Sequence, residues 1–486
     1  MLLAQKEDYC WYFGYDPTVG GQWNATELNF NETPAKTSIA NGIKVWLRAT
    51  NASVCDTAGN LLFYTNGIAV FDKSHEIMEN GDTLNPGYHY SEHHDYGYVV
   101  LQGAIILKDP GDPMQYYLFH LGAGTHPNYG GGQSPFYYTK IDMRDNGGLG
   151  AVVEKNHVLR RGFMGVVTAC RHANGRDWWV MIPDYGAISN SFFTWLLSPA
   201  GVEGPFVQEI GDRAMYKNMQ DGGVNIAFSP DGSKFARMDI EFGVQLFDFD
   251  RCTGLLSNYR KQRFPARISP GSGAAFSPNG RFLYYTSTLQ IMQWDTDMGE
   301  LPEAVDTVAV YDGFGEWNSA STFFLLQNGP DGKIYGNCTS TVPRLHVIHE
   351  PDKKGIACNV EQHGIQLYGR NAFSLPHFPN YRLGKLEGSA CDTLSSVHTP
   401  GQRPEEIARV YPNPAKDRLT ITYSIHNSGS YCFEIRDAAG KLHFEKAWDV
   451  PLQEQSFSLG ALPAGIYIYT LRLENGRTQS GKLVIE

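Results

Sequence analysis

The chain has 486 residues, of which 42% are apolar and 19% charged, and its formal net charge is −11. This length exceeds one ordinary domain, the apolar share supports a large core, and the acidic balance, with no Lys/Arg run, excludes a phosphate-binding stripe for nucleic acid or an anionic membrane surface. No apolar stretch is long enough for a membrane-spanning helix, and 52 glycines with 13% aromatic residues favour turns and strands over helix bundles.

In chain order, "MLLAQKEDYC" comes first. Leu2, Leu3, Ala4 and Gln5 read as the tail of a secretory signal, so residues 1–8 are expected to be a signal remnant or N-terminal tail. A recurring turn follows. Its glycines are Gly59 in "DTAGNLLFYTNG", Gly175 in "ANGRDWWVMI", Gly232 in "SPDGSKFA", Gly280 in "SPNGRFLYYTS" and Gly332 in "GPDGKIYGN", with a related turn near Pro113. Each turn precedes an aromatic-rich strand, and a further strand carries an aromatic and an acid, as in "VQLFDFD" and "IMQWDTD". Asp-Gly and Asn-Gly supply the positive φ of tight hairpins. A strand-only repeat of roughly 50 residues is the signature of propeller blades.

The expected fold is therefore all-β. Residues 9–386 form a β-propeller, seven blades being favoured over six or eight. Six units are legible between about residues 43 and 350. The seventh is expected from both ends, with "SLPHFPNYRLG" (Ser374 to Gly384) joining "CWYFG" and "ELNF", so that no sheet edge stays open.

Several residues invite chemistry. "GYHYSEHHDYGY" groups His89, His93, His94 and Asp95, with His120 and His126 beyond. Histidines and carboxylates at short spacing can ligate zinc or another transition metal. No H-E-x-x-H frame accompanies them, so a tyrosine-rich loop between blades is the favoured reading and no metal or cofactor is expected. Arg171, His172, Arg176 and Asp177 in "RHANGRDWW" read as a hairpin turn ahead of core tryptophans. No nucleophile elbow, P-loop or calcium-loop ligand series occurs. Of the eight cysteines none forms a C-x-x-C pair. Export would allow oxidation, and the fold suggests Cys338 with Cys358 and Cys10 with Cys391, with buried free thiols the alternative for most of the eight.

Composition shifts near residue 387. Residues 387–406 are small, polar and proline-bearing, as in a linker. Residues 407–486 show short alternating strands and turns, the pattern of a small Ig-like β-sandwich. This segment resembles the type A C-terminal sorting domain of cargo of the type IX secretion system of Bacteroidota. The resemblance rests on Tyr411-Pro412-Asn413-Pro414, the turn Asp437 to Gly440, the run Leu462 to Tyr467 with Gly465 and Tyr467, and the close Gly481-Lys482-Leu483-Val484-Ile485. It implies export to the cell surface or medium through the type IX machinery. The preceding repeats resemble the WD-repeat-like propellers that accompany such domains. In that setting Thr57, Thr83, Thr307 and Thr393, each in an Asp-Thr-aliphatic triplet, match a short O-glycosylation pattern. The functional expectation is an exported propeller that binds a protein, a glycan or its own copies. The alternative is a secreted hydrolase or lyase acting on polysaccharide or peptide at the channel mouth. Convergent carboxylates or histidines there would favour the second.

Overall fold

The computed structural model describes residues 5–16, 22–123, 134–185, 189–214, 224–239, 243–262, 273–339, 341–371, 373–392, 408–423, 431–437, 441–448, 454–460, 462–473 and 478–485. Two compact units, residues 1–400 and 401–486, make up the chain.

In the first unit the recurring turn is one local structure. In Ser277-Pro278-Asn279-Gly280 the Gly280 N–H donates to Ser277 O at 2.8 Å and the Asn279 carboxamide oxygen accepts Arg281 N at 3.0 Å. Ser229-Pro230-Asp231-Gly232 repeats both bonds, through Gly232 N to Ser229 O and Ser233 N to Asp231 Oδ1. Gly59, Gly175, Gly232, Gly280 and Gly332 all have φ between 71° and 87°, a region that glycine enters without a steric penalty. In the sheets after the first, the turn joins the first strand to the second. The aromatic-and-acid strand is therefore the third; "VQLFDFD" lies in Gly243–Asp250. Sequence missed the first strands because they are only three to five residues long, as with Ala274–Phe276.

Among its described residues the first unit holds seven antiparallel meanders of three or four strands. Their first strands are Cys10–Gly14, Ala52–Cys55, Ala104–Lys108, Thr168–Arg171, Val224–Phe228, Ala274–Phe276 and Leu326–Asn328. A separate two-stranded hairpin pairs Gly315–Glu316 with Ser319–Ala320. Successive first strands neighbour one another from Cys10–Gly14 to Ala104–Lys108 and from Thr168–Arg171 to Leu326–Asn328. Val167 N donates to Gln102 O where the two runs meet. The last sheet returns to the first through Tyr335, whose ring lies 5.5 Å from both Trp11 and Phe30. The sheets thus close into a ring whose strands pack on both faces, which is why the inner strands read as continuous apolar runs.

Ring closure differs from the expectation. The first sheet is built only from N-terminal strands, Cys10–Gly14, Ala25–Asn29 and Lys36–Ile39. Residues 374–384 form no strand. Pro376 and Pro379 lack the N–H that a ladder needs, so this segment threads the ring instead. It enters beside Leu47 and Asn51, where Ser374 Oγ donates to Leu47 O and His377 N to Asn51 O. It leaves beside Asp8 and Pro230, held by Arg382 and by Asn380 Nδ2, which donates to Pro230 O.

The disulfide expectations are also corrected. Cys391 pairs with Cys252, and Cys10, Cys338 and Cys358 are buried outside any disulfide. Cys10 donates to Gly59 O inside the first sheets. Cys391 instead follows the threaded segment out to the turn after Asp250, where Cys252 sits.

The second unit packs two antiparallel sheets. One orders Ala408–Tyr411, Arg418–Tyr423 and Glu454–Ser458; the other orders Leu442–Trp448, Tyr431–Asp437, Gly465–Leu473 and Thr478–Ile485. Leu419, Ile421, Phe433, Ile435, Phe457, Leu471 and Leu483 fill its core.

Candidate functional site: an occupied ring interior and an aromatic ladder

The middle of the ring is occupied by the threaded segment. Phe378 stacks on Trp11 with centroids 5.8 Å apart, and Tyr381 donates its hydroxyl to Ile106 O at 2.7 Å. His377 Nδ1 lies 3.3 Å from Gln102 Nε2, and burial pushes its pKa down to about 4, so the imidazole is neutral at neutral pH. Arg171 stacks on Trp178 at 3.7 Å and donates to the carbonyls of Arg176 and Tyr381. A cavity of about 220 Å³ remains at the mouth that carries the Asx-Gly turns, lined among others by Asp8, Arg171, Ser229, Asn328, His377 and Arg382. Its carboxylate is engaged, because both Asp8 oxygens accept from Arg382 at 2.6 Å. Glu7, next in sequence, is raised in pKa by burial, with Lys108 and Arg171 opposing the shift.

The histidines singled out in the sequence are not brought to one point. His89 is buried on the short helix Tyr88–His93, and His94 is exposed, 3.3 Å from Asp95 and from Ser91 O. The His93 side chain and His126 lie outside the described residues. His120 is fully buried between Asn85 and Thr139, with its pKa pushed down to about 3 by burial. His172 accepts from Asn174 N through Nδ1, and Arg176 pairs with Asp177 at 2.7 Å, completing a hairpin turn above the buried Trp178 and Trp179. Among the described residues the one group with metal-ligand spacing is Cys432, Glu434 and Glu445 in the second unit, where Arg436 and Arg472 already engage the Glu434 carboxylate. Thr57 and Thr307 are exposed, Thr83 is half-buried with its hydroxyl on Asp82 and Tyr90, and Thr393 lies outside the described residues.

The sequence reading missed a surface feature on the other face. First strands from Ala52–Cys55 onward run in one direction, so the connections between sheets gather at one end of the ring and the Asx-Gly turns at the other. Cys10–Gly14 runs the opposite way, since Tyr12 O accepts from Asn51 and Cys55 N donates to Glu7 O. Tyr15 and Trp23, which follow this strand, therefore lie on the connection face. There Tyr15 is buried and sits edge-on to Trp23 at 4.7 Å and to Trp46 at 4.8 Å. The two indoles are parallel within 2°, centroids 6.5 Å apart. Tyr96, itself exposed, meets Trp46 at 4.9 Å. On the far side Arg370 lies 5.2 Å over Trp23 and 5.1 Å over Trp317. Gln22 and Thr341 hold the guanidinium in place. Burial raises the Tyr15 pKa to about 12, against the pull of Arg48 and Arg370. A sequence signal existed: "GQWNAT", "KVWLRA" and "GEWNSA" place tryptophans within two residues of Gly, Lys or Asn, outside any aromatic-strand repeat.

In the second unit, the motifs at its two ends meet. Asn413 donates through Nδ2 to Lys482 O at 2.7 Å and accepts Val484 N at 2.8 Å. Tyr467 donates its hydroxyl to Pro463 O. A Cβ at Gly481 would lie 2.6 Å from the Tyr469 ring, so a side chain there would have to displace that ring.

Comparison with known proteins places these observations. Residues 409–486 match the family described as the secretion system C-terminal sorting domain. No curated protein matches the chain. Among solved structures, a candidate 6-phosphogluconolactonase from Bacteroides uniformis is similar at 12% identity and a TM-score of 0.40, over 76% of this chain and 99% of that one. The Swd1 β-propeller domain of Myceliophteria thermophila is similar at 8% identity and a TM-score of 0.38, over 68% and 92%. A gluconolactonase from Xanthomonas campestris is similar at 12% identity and a TM-score of 0.32, over 69% and 94%. No activity is read from these likenesses. Among the described residues no helix is long and apolar enough to cross a membrane. The C-terminal module is therefore a type IX sorting domain, which implies contact with that secretion machinery, and the chain is a secreted or surface-attached protein whose first unit is an all-β propeller ring.

Proposed function

We propose that the ring is a seven-bladed binding or scaffold module, one blade per meander, and that its contacts are made on the connection face rather than in the channel. The observation that carries this reading is the threaded segment. Phe378 and Tyr381 stand where a substrate would have to enter, and Tyr381 is tied to the innermost strand of a sheet. The alternative, a hydrolase or lyase at the channel mouth, draws only on the cavity beside Asp8. A general base there would need a free carboxylate, and the Asp8 oxygens are held by Arg382. The test uses the full chain. Incubation with polysaccharides and with casein should release no reducing ends or peptides, while sedimentation velocity and pull-down should reveal self-association or a retained ligand. Turnover abolished by Asp8→Asn would reverse the assignment.

A further inference from the structure

We propose that the ladder Tyr96–Trp46–Trp23–Arg370–Trp317 is a binding platform for a neutral polysaccharide, read through the flat faces of its pyranose rings. The proposal rests on the binding-module reading and names the ligand class. Its first support is the distribution of tryptophan. Trp11, Trp178, Trp179, Trp195 and Trp294 are buried and serve the core. Trp23, Trp46 and Trp317 are only half-buried, lie on three separate loops, and are joined by ring and cation contacts on one face. Core packing does not require that convergence, and partly exposed aromatic rings gathered on one face mark a contact surface.

The second support is preorganisation. Tyr15 is buried and contacts both indoles edge-on, so their common orientation is set from below. Arg370 is fixed by Gln22 and Thr341, which leaves a planar guanidinium bridging two rings. A ligand meeting this surface orders few side chains on binding.

The chemistry of the surface selects the ligand. Indole and phenol faces offer apolar, polarisable planes, and the fixed neighbours Gln22, Thr341 and Arg370 are hydrogen-bonding groups. A pyranose ring pairs an apolar C–H face with a rim of hydroxyls, which matches aromatic planes edged by donors and acceptors. The net charge of −11 opposes a long polyanion such as nucleic acid, and the cation of the ladder, Arg370, is already held by Thr341 and Gln22, so a neutral polymer fits best.

Affinity electrophoresis of the full chain in native gels containing barley β-glucan, galactomannan or dextran tests the proposal. At least one polymer should retard the protein. Trp46→Ala and Trp23→Ala should each weaken that interaction about tenfold. Ile356→Ala, a highly exposed position on the opposite face, should leave retardation unchanged. Trp46→Phe keeps an aromatic plane and should retain part of it, which separates lost stacking from a misfolded loop. Absence of retardation by all three polymers, or retardation equal in wild type and Trp46→Ala, overturns the platform. If the chain then still self-associates or retains a protein ligand through the same face, the binding-module reading stands without it. Release of reducing ends from a retarding polymer would overturn that reading and leave the platform intact.

Discussion

Arg382 holds both carboxylate oxygens of Asp8 at 2.6 Å, linking residues 374 positions apart at the point where the threaded segment leaves the ring. Asp8 is almost fully buried, whereas the Arg382 side chain is 39% exposed. Removing the partner of a buried charge costs about 3–5 kcal/mol and an exposed pair about 0–1 kcal/mol. Asp8→Ala should fall between these limits, at about 2–3 kcal/mol in urea unfolding of the first unit's transition. A loss below about 0.5 kcal/mol would mean that the pair does not anchor the segment.

The Cys252–Cys391 disulfide closes a loop that contains the threaded segment, with a sequence separation of 139 residues. A cross-link across a loop of this size stabilises by about 3–5 kcal/mol, largely through the unfolded chain. Cys391→Ser should therefore lower the melting temperature, and dithiothreitol should bring wild type down to the same value. Peptide mapping without reduction should join the Cys252 and Cys391 peptides and leave Cys10, Cys338 and Cys358 available to alkylation after denaturation. A Cys338–Cys358 or Cys10–Cys391 peptide would refute the assignment.

The pairing illustrates what sequence could and could not reveal. The turn glycines, the aromatic strands and the C-terminal motifs were legible because each follows from local chemistry: positive φ at Gly280, the continuous apolar run from Phe282 to Tyr285, and Asn413 in a proline-flanked run. Closure was not local. "LPHFPNY" has the aromatic content of a strand, and only its path past Asn51, Ile106 and Asp8 shows that it threads the ring instead. The ladder escaped for the same reason. Trp23, Trp46 and Trp317 occupy unrelated loops, and nothing in their spacing reports that Arg370 bridges two of them. His89, His94 and His120 show the converse, being near in sequence and not brought to one point in the fold.

Two recurring glycines should respond differently to the same change. A Cβ at Gly232 would lie 2.7 Å from Cys170 Sγ and 2.8 Å from Arg251 Cδ, whereas at Gly280 the nearest atom is 3.7 Å away. Both have positive φ. Gly280→Ala should cost about 1 kcal/mol from backbone strain alone, and Gly232→Ala about 2–3 kcal/mol once overpacking is added. Gly280→Asn should be nearly neutral, because asparagine tolerates the left-handed region. Equal losses at the two glycines in chemical denaturation would contradict the packing around Cys170.

Buried neutral histidines set an acid limit on stability. Burial pushes His377 and His346 down to about 4 and His120 to about 3. Their unfolded values lie near 6.5, so below that pH the unfolded chain binds protons that the folded one does not. Stability should be fully present above about pH 6.5 and fall as the pH drops towards 4, on the order of 1–2 kcal/mol per histidine between pH 6.5 and 5. His346→Gln, which keeps a donor near Thr322 O, should flatten that slope whatever its effect at neutral pH. An unchanged slope in unfolding series at pH 5 to 7 would show that His346 does not contribute to it.

Asn413 couples the proline-flanked motif to the last strand of the sorting domain through Lys482 O and Val484 N. These bonds bring the domain's two sequence ends into one edge, which Ala415 continues in a bridge to Ile485. Asn413→Ala should remove about 1 kcal/mol from this unit, and Gly481→Val should cost more, because a side chain there meets the Tyr469 ring. If the secretion machinery reads the folded edge, both variants should accumulate inside the cell while the ring still folds, with Gly481→Val the stronger. Fractionation of cells expressing the full chain, followed by immunoblotting of medium, surface and cell interior, would measure this. Normal export of Gly481→Val would mean that recognition does not depend on the edge formed by Asn413 and residues 481–485.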